Sequence, residues 1–216
     1  CDMPDYFSRN PDLYDKRTVL AKKLKMLPYE FIVRGYIFGS MWKEYKTSGS
    51  FCGQQIENKY ELAQKLETPI ITPSAKNSSG HDEYISLGRL KKEIGSKEAD
   101  AICSICLNLY ETCYQEALKK GIIIADTKFE FGYDENGELV LGDEIFTPDS
   151  SRFWALSDWE IGTSPKSYDK QFVRDWLTQH KMNGVTPAPE IPEDVVKKTA
   201  AIYKECYCKL TGRKEY

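Results

Sequence analysis

The chain has no long apolar run. None approaches the roughly 20 consecutive residues that a helix needs to span a bilayer, so the sequence predicts a soluble, cytoplasmic protein with no membrane partner. It also has no excess of positive charge. Its 216 residues carry 30 Lys and Arg against 33 Asp and Glu, a net charge of −3, which leaves no electrostatic footprint for nucleic acid. Histidine is nearly absent: His81 and His180 are the two, and neither is spaced as a zinc partner for a cysteine. Internal repeats and low-complexity tracts are missing too. What remains is a globular chain, 41% hydrophobic, able to bury the core of one domain or one and a half.

Seven cysteines is an odd number, in a chain too large to need disulfide staples, and it points to a reducing compartment. Cys103 and Cys106 have the spacing of a redox or zinc motif. In "EADAICSICLNLYETCYQEALKKG", however, Ala99, Cys103, Cys106, Tyr110, Cys113 and Ala117 form one apolar stripe at helical spacing. There a free cysteine packs as a small hydrophobe, and the same structural reading applies to Cys206 and Cys208.

Along the chain, "CDMPDYFSRNPDLYDKR" is polar and turn-rich and opens on Cys. "TVLAKKLKMLPYEFIVRGYIFGS" reads as two short strands broken at Pro28, with Gly35 and Gly39 marking a bend or a close backbone approach. Residues 67–83, "ETPIITPSAKNSSGHDE", read as a long polar loop. A helix over about 96–120 ends at Gly121. A β-hairpin follows, and "SYDKQFVRDWLTQHK" and "PEDVVKKTAAIYKECYCKLTG" supply closing helices. Without regular βαβ alternation, the predicted class is α+β.

The hairpin, "IIIADTKFEFGYDENGELVLGDEIFTPDSSRFW", carries the chemistry. Asp126, Lys128 and Glu130 alternate, so they share a strand face, while Thr127, Phe129 and Phe131 take the other. A two-residue Asn136-Gly137 turn pairs Glu130 with Asp143. A four-residue loop instead pairs Lys128 with Asp143. Either register gathers three carboxylates around one lysine, the makings of a site for Mg2+ and a phosphate. The plainer alternative is a solvated face laced with salt bridges. "TPDSSRFW" then places Asp149, two hydroxyls and Arg152 in a turn after the strand, where Arg152 could grip a phosphate or carboxylate.

These residues carry a resemblance. "ADTKFEFG" and "DEIFTPDSSRFW", with "EFIVRGYIFGS" upstream and "SYDKQFVRDWL" downstream, resemble the phosphoribosylaminoimidazole-succinocarboxamide synthase (SAICAR synthetase) family in its longer form. The resemblance keeps motif order from about residue 18 to the C-terminus. It implies an ATP-grasp-like fold, an antiparallel sheet flanked by helices, and a ligase using ATP and Mg2+ to join L-aspartate to the carboxylate of the nucleotide CAIR. By the same resemblance Glu130 and Asp143 would hold Mg2+, Lys128 would stabilise the transferring phosphoryl, and Asp126 would orient that lysine or the reacting groups. Arg34, Ser40 and Arg152 would grip the nucleotide. Lys76, His81 and Asp82 lie in a family-like loop near the nucleotide or aspartate, and Lys23, Leu24 and Lys25 resemble the connector against adenine.

One departure stands out. The family's β-rich N-terminal lobe, with its Gly-Lys motif, has no counterpart here. The expectation is a truncated chain of impaired activity, with residues 1–30 the remnant of the ATP-binding lobe and hinge and 31–216 the catalytic and substrate-binding domain. Its protein partner would be a separate N-terminal lobe or a second copy. A non-catalytic nucleotide-binding fragment and a kinase-like phosphotransferase remain open beside the ligase.

Overall fold

The computed structural model describes residues 9, 11–14, 18–57, 59–77 and 82–215. After a helical turn at Pro11–Tyr14, the described residues form nine strands: β1 (Lys25–Met26), β2 (Tyr29–Tyr36), β3 (Ser50–Phe51), β4 (Gln54–Gln55), β5 (Lys65–Ala75), β6 (Glu83–Tyr84), β7 (Ile122–Tyr133), β8 (Leu139–Gly142) and β9 (Ser151–Ala155). The helices are α1 (Gly39–Ser48), α2 (Leu87–Ile94), α3 (Ser96–Lys119), α4 (Gln171–Gln179) and α5 (Glu193–Thr211). Seven strands make one sheet and β3–β4 a separate hairpin. Every strand pairing among the described residues is antiparallel, which with these helices is the expected α+β class. No described helix is long and apolar enough to cross a membrane.

β7 is the axis of the sheet. β9 pairs with its residues 122–127, β2 with 126–129, β8 with 130–133 and β1 with 132–133, so β7 has a partner strand along its whole length and its side chains can be buried on both faces. Phe129 and Phe131 point to the core, where they join Phe31 and Val33 of β2 and the inner stripe of α3. Ala99, Cys106, Tyr110 and Ala117 of that stripe are buried as expected, while Cys103 and Cys113 are half-buried at its edge. Burial pushes the Cys206 thiol up to about 12 and the Cys106 thiol higher still. Neutral, packed thiols suit the structural reading of these cysteines. Gly121 follows α3 with φ +73°, the left-handed stop that its sequence position called for.

Two expectations change. Residues 67–75 are not loop but most of β5, an inner strand paired with β2 over residues 70–75 and again at Lys65 across a bulge. Pro73 is tolerated because its carbonyl accepts from Ile85 N on the side away from β2, so its missing N–H faces the thinly paired edge. The hairpin uses neither expected register. Tyr133 pairs with Leu139 and Glu130 with Gly142, leaving a five-residue loop. Asp134 builds it, its Oδ1 accepting from Asn136 N (2.9 Å) and Glu138 N (2.8 Å). The domain boundary expected at residue 30 falls inside β2, and His81 lies outside the described residues.

Candidate active site

The face of the sheet opposite α3 floors a cavity of about 840 Å³, walled by α1, α4 and the turn before β9. That size suits a nucleotide-class ligand. Alternation selects the floor: Glu30, Ile32 and Arg34 of β2 beside Asp126 and Lys128 of β7.

Asp126 sits in register with Arg34 on one side and Arg152 on the other. Its Oδ2 accepts from Arg34 Nη1 at 3.4 Å and from Arg152 Nη1. Asp126 therefore orients two guanidiniums, whereas the expected partner was Lys128 or the reacting groups. Arg34 is further fixed by donating from Nε to Thr72 Oγ1 (3.0 Å) and from Nη2 to Ser40 Oγ (3.4 Å) and Tyr84 Oη (3.3 Å). Arg152 lies over the Phe38 ring with its Nε 3.8 Å from Asp169, and that buried Nε has no hydrogen-bond partner among the described residues. Gly39, at φ +60°, brings the start of α1 against Arg152, where a Cβ would stand 3.1 Å from Nη2. Arg34 and Arg152 thus meet at Asp126 by the head of a helix, with Asp169 a longer-range counter-charge to Arg152, and present guanidiniums suited to an anion.

Farther along the face, Lys128 Nζ donates to Glu130 Oε1 (2.6 Å) and Asp143 Oδ2 (2.9 Å) and lies 3.5 Å from Glu30. The other oxygen of Glu130 takes Lys76 Nζ at 2.6 Å. The five-residue loop would turn Asp143 to the core face, since one residue of slip flips a side chain. Its left-handed backbone, φ +57°, returns the carboxylate to Lys128. Burial opposes the Lys128 charge, but the hydrogen bonds it donates to Glu130 and Asp143 outweigh it and raise the ammonium pKa. Burial likewise opposes the Asp143 charge, and Lys128 outweighs it, holding that carboxyl below its usual range. Glu30 goes the other way: desolvation raises its pKa, with Glu130 adding to the effect.

The donors present fit Mg2+, which takes one or two protein carboxylates and completes its shell from phosphate and water. Among the described residues no group of three or more His, Cys, Asp or Glu side chains is placed to hold a metal alone, so Glu130 and Asp143 would depend on a bound phosphate for the other ligands. Asp82 is exposed and accepts from Asn77 N at 3.3 Å. Lys25 pairs with Tyr133, and Leu24 packs by Gly132 and Gly142; with Lys23 they lie outside the cavity lining. Sequence reasoning missed Glu30, Tyr84, Asp169 and Lys170. Glu30 was signalled by its alternation with Arg34. Tyr84 and Asp169 reach the site only through tertiary pairing.

Comparison with known proteins decides what this face belongs to. The SAICAR synthetase family model matches residues 2–190. The chain belongs to that family. A phosphoribosylaminoimidazole-succinocarboxamide synthase of Lachnospira eligens is 50% identical over 98% of this chain and 72% of its own. The solved SAICAR-synthase from Saccharomyces cerevisiae, complexed with SAICAR, is 47% identical with a TM-score of 0.79, covering 89% of this chain. The chain spans 62% of that yeast chain's length. A SAICAR synthetase structure in complex with ADP is 30% identical, with a TM-score of 0.65 over 90% of this chain and 67% of its own.

Proposed function

We propose that the chain serves the reaction its relatives are named for, the ATP-dependent ligation of L-aspartate to the carboxylate of CAIR, yielding SAICAR, ADP and phosphate. The observation that carries this reading is the single face of β7 on which Asp126 anchors Arg34 and Arg152 while Lys128 is held by Glu130 and Asp143. The yeast relative was solved with SAICAR and another relative with ADP, which supports a nucleotide substrate and ATP. We place the fold in the ATP-grasp-like class, with residues 1–30 on the side of the ATP-binding lobe and 31–216 gripping the substrates. Lys23, Leu24 and Lys25 would meet adenine through their backbone.

The chemistry starts from a poor electrophile. A carboxylate oxygen of CAIR attacks the γ-phosphorus, the bond to the β-phosphate oxygen breaks, and ADP leaves. The resulting acyl phosphate has a good leaving group. The amine of L-aspartate, having lost a proton, attacks the acyl carbon, and phosphate departs with the former carboxylate oxygen. Arg34, Ser40 and Arg152 fix the nucleotide, so that most of the gain comes from positioning and charge neutralisation. Lys128, kept charged by its neighbours, lies against the transferring phosphoryl. Mg2+, when bound, would neutralise phosphate charge beside Glu130 and Asp143. Lys76 and Asp82 border the same end.

ADP release should require CAIR and L-aspartate together. Release without L-aspartate would instead support a kinase-like phosphotransferase, and CAIR binding with no ADP a binding fragment.

A further inference from the structure

The β3–β4 hairpin stands apart from the main sheet, and none of its residues lines the cavity. Phe51 pairs with Gln54, which closes the hairpin over Cys52-Gly53, and both turn residues have positive φ, 51° and 73°. That backbone matches the twist of a short hairpin. The turn lies by the start of α2, where a Cβ on Gly53 would stand 3.9 Å from Ser86 Cβ. Phe51 points inward, 1% exposed, into a small apolar cluster with Ile37, Met41 and Leu66.

The same ring meets Arg34. The guanidinium carbon lies 5.0 Å from the centre of the Phe51 ring and 5.6 Å from that of Tyr84, and the two rings meet edge to face at 5.2 Å. Arg34 is 3% exposed, so its charge has lost most of its water, and the negative faces of two rings return part of that loss. They do so without taking an N–H. Of the hydrogen bonds Arg34 donates, only that from Nε to Thr72 (3.0 Å) has ordinary length. Those from Nη1 to Asp126 (3.4 Å) and from Nη2 to Ser40 (3.4 Å) and Tyr84 (3.3 Å) are long. The two hydroxyls are closer to each other, at 2.9 Å. The corner of two rings adds the restraint that long bonds lack, and it leaves the terminal nitrogens to a ligand oxygen.

Resting on the ligase reading above, we infer that Phe51, with Tyr84, is a positioning residue for the nucleotide: the hairpin presses a ring against Arg34 and holds the guanidinium plane ready for the anionic groups of CAIR. Phe51 does not line the cavity, so it acts through Arg34 and Tyr84 alone. A guanidinium already held in one plane gives up less freedom when it takes a phosphate or carboxylate through parallel N–H bonds.

Titration calorimetry of the full chain with CAIR reads this without turnover. Phe51→Leu keeps an apolar filler but removes the ring, and it should weaken CAIR binding about 5- to 30-fold. Tyr84→Leu should do the same, whereas Tyr84→Phe, which keeps the ring, should stay within about three-fold of the parent. Leu66→Ala controls for loosening: it cuts into the same cluster and should lower the urea midpoint, yet leave CAIR affinity within about two-fold. In steady-state assays Phe51→Leu should raise KM for CAIR by the calorimetric factor while kcat and KM for ATP stay within about two-fold. Unchanged CAIR affinity in Phe51→Leu, an equal loss in Leu66→Ala, an equal loss of ATP affinity, a loss in Tyr84→Phe as large as in Tyr84→Leu, or no CAIR binding by the parent would each overturn the inference. A parent that binds CAIR but releases no ADP with CAIR and L-aspartate would refute the ligase reading alone, and the variants' CAIR affinities would still decide the role of Phe51.

Discussion

At the scale of single residues, the site is governed by which charges share a partner. Arg34 and Arg152 both lean on Asp126, and the three are nearly buried. Removing the carboxylate strands two guanidiniums in a poorly solvated place, so Asp126→Ala should cost about 3 kcal/mol of stability, seen as a lower urea midpoint. Asp143→Asn keeps the shape of the side chain but removes the charge facing Lys128 and, on the proposed reading, one of the two carboxylates that would hold Mg2+. It should cut turnover at least about 100-fold with little change in the urea midpoint. Glu30 gives a prediction with a sign. Desolvation raises its folded pKa, so its ionisation costs stability above that pKa, and the cost vanishes below the unfolded value of about 4.3. Glu30→Gln should therefore raise the urea midpoint at pH 7, with the gain fading as pH falls toward 4. A midpoint lowered at pH 7 would contradict this. Period-two alternation was enough to group Asp126, Lys128 and Glu130 from sequence. It did not assign their partners, because Asp126 faces arginines on two different strands far apart in the chain.

At the scale of elements, the hairpin and β5 show where local rules stop. Asn136-Gly137 favours a tight turn, yet Asp134 offers its carboxylate to two backbone N–H groups and closes a longer loop. The gathered site survives only because Asp143 adopts a left-handed conformation, which nothing in an alternation pattern announces. β5 read as loop because two prolines and polar residues resemble punctuation, whereas in the sheet Pro73 has an open edge for its missing donor. Gly35 was legible as a close approach: a Cβ there would lie 2.0 Å from Tyr110 Oη, a hydroxyl that donates to Ile124 O at 2.7 Å. Gly35→Ala should destabilise by about 1–3 kcal/mol. Adding Tyr110→Phe, which deletes the obstructing hydroxyl, should recover part of that loss in the same denaturant titration, and a purely additive double mutant would argue against the contact.

At the scale of the whole molecule, one strand divides the work. β7 gives its phenylalanines to the core shared with α3 and its charged residues to the cavity, so the same alternation builds the fold and the site. The positions of α3, α4 and α5, the α+β class and the family resemblance were readable in the sequence because they rest on periodicity and motif order, whereas α1 and α2 went unrecognised. The cavity was not, since α1, α4 and the turn before β9 meet only in the folded chain. The central claim is that this cavity activates a carboxylate by phosphorylation before an amine attacks it. Running the reaction with CAIR labelled with 18O in its carboxylate tests this directly, by mass spectrometry of the inorganic phosphate released. One labelled oxygen in phosphate for each SAICAR formed is the expected result, whereas phosphate free of label while SAICAR accumulates would contradict the account.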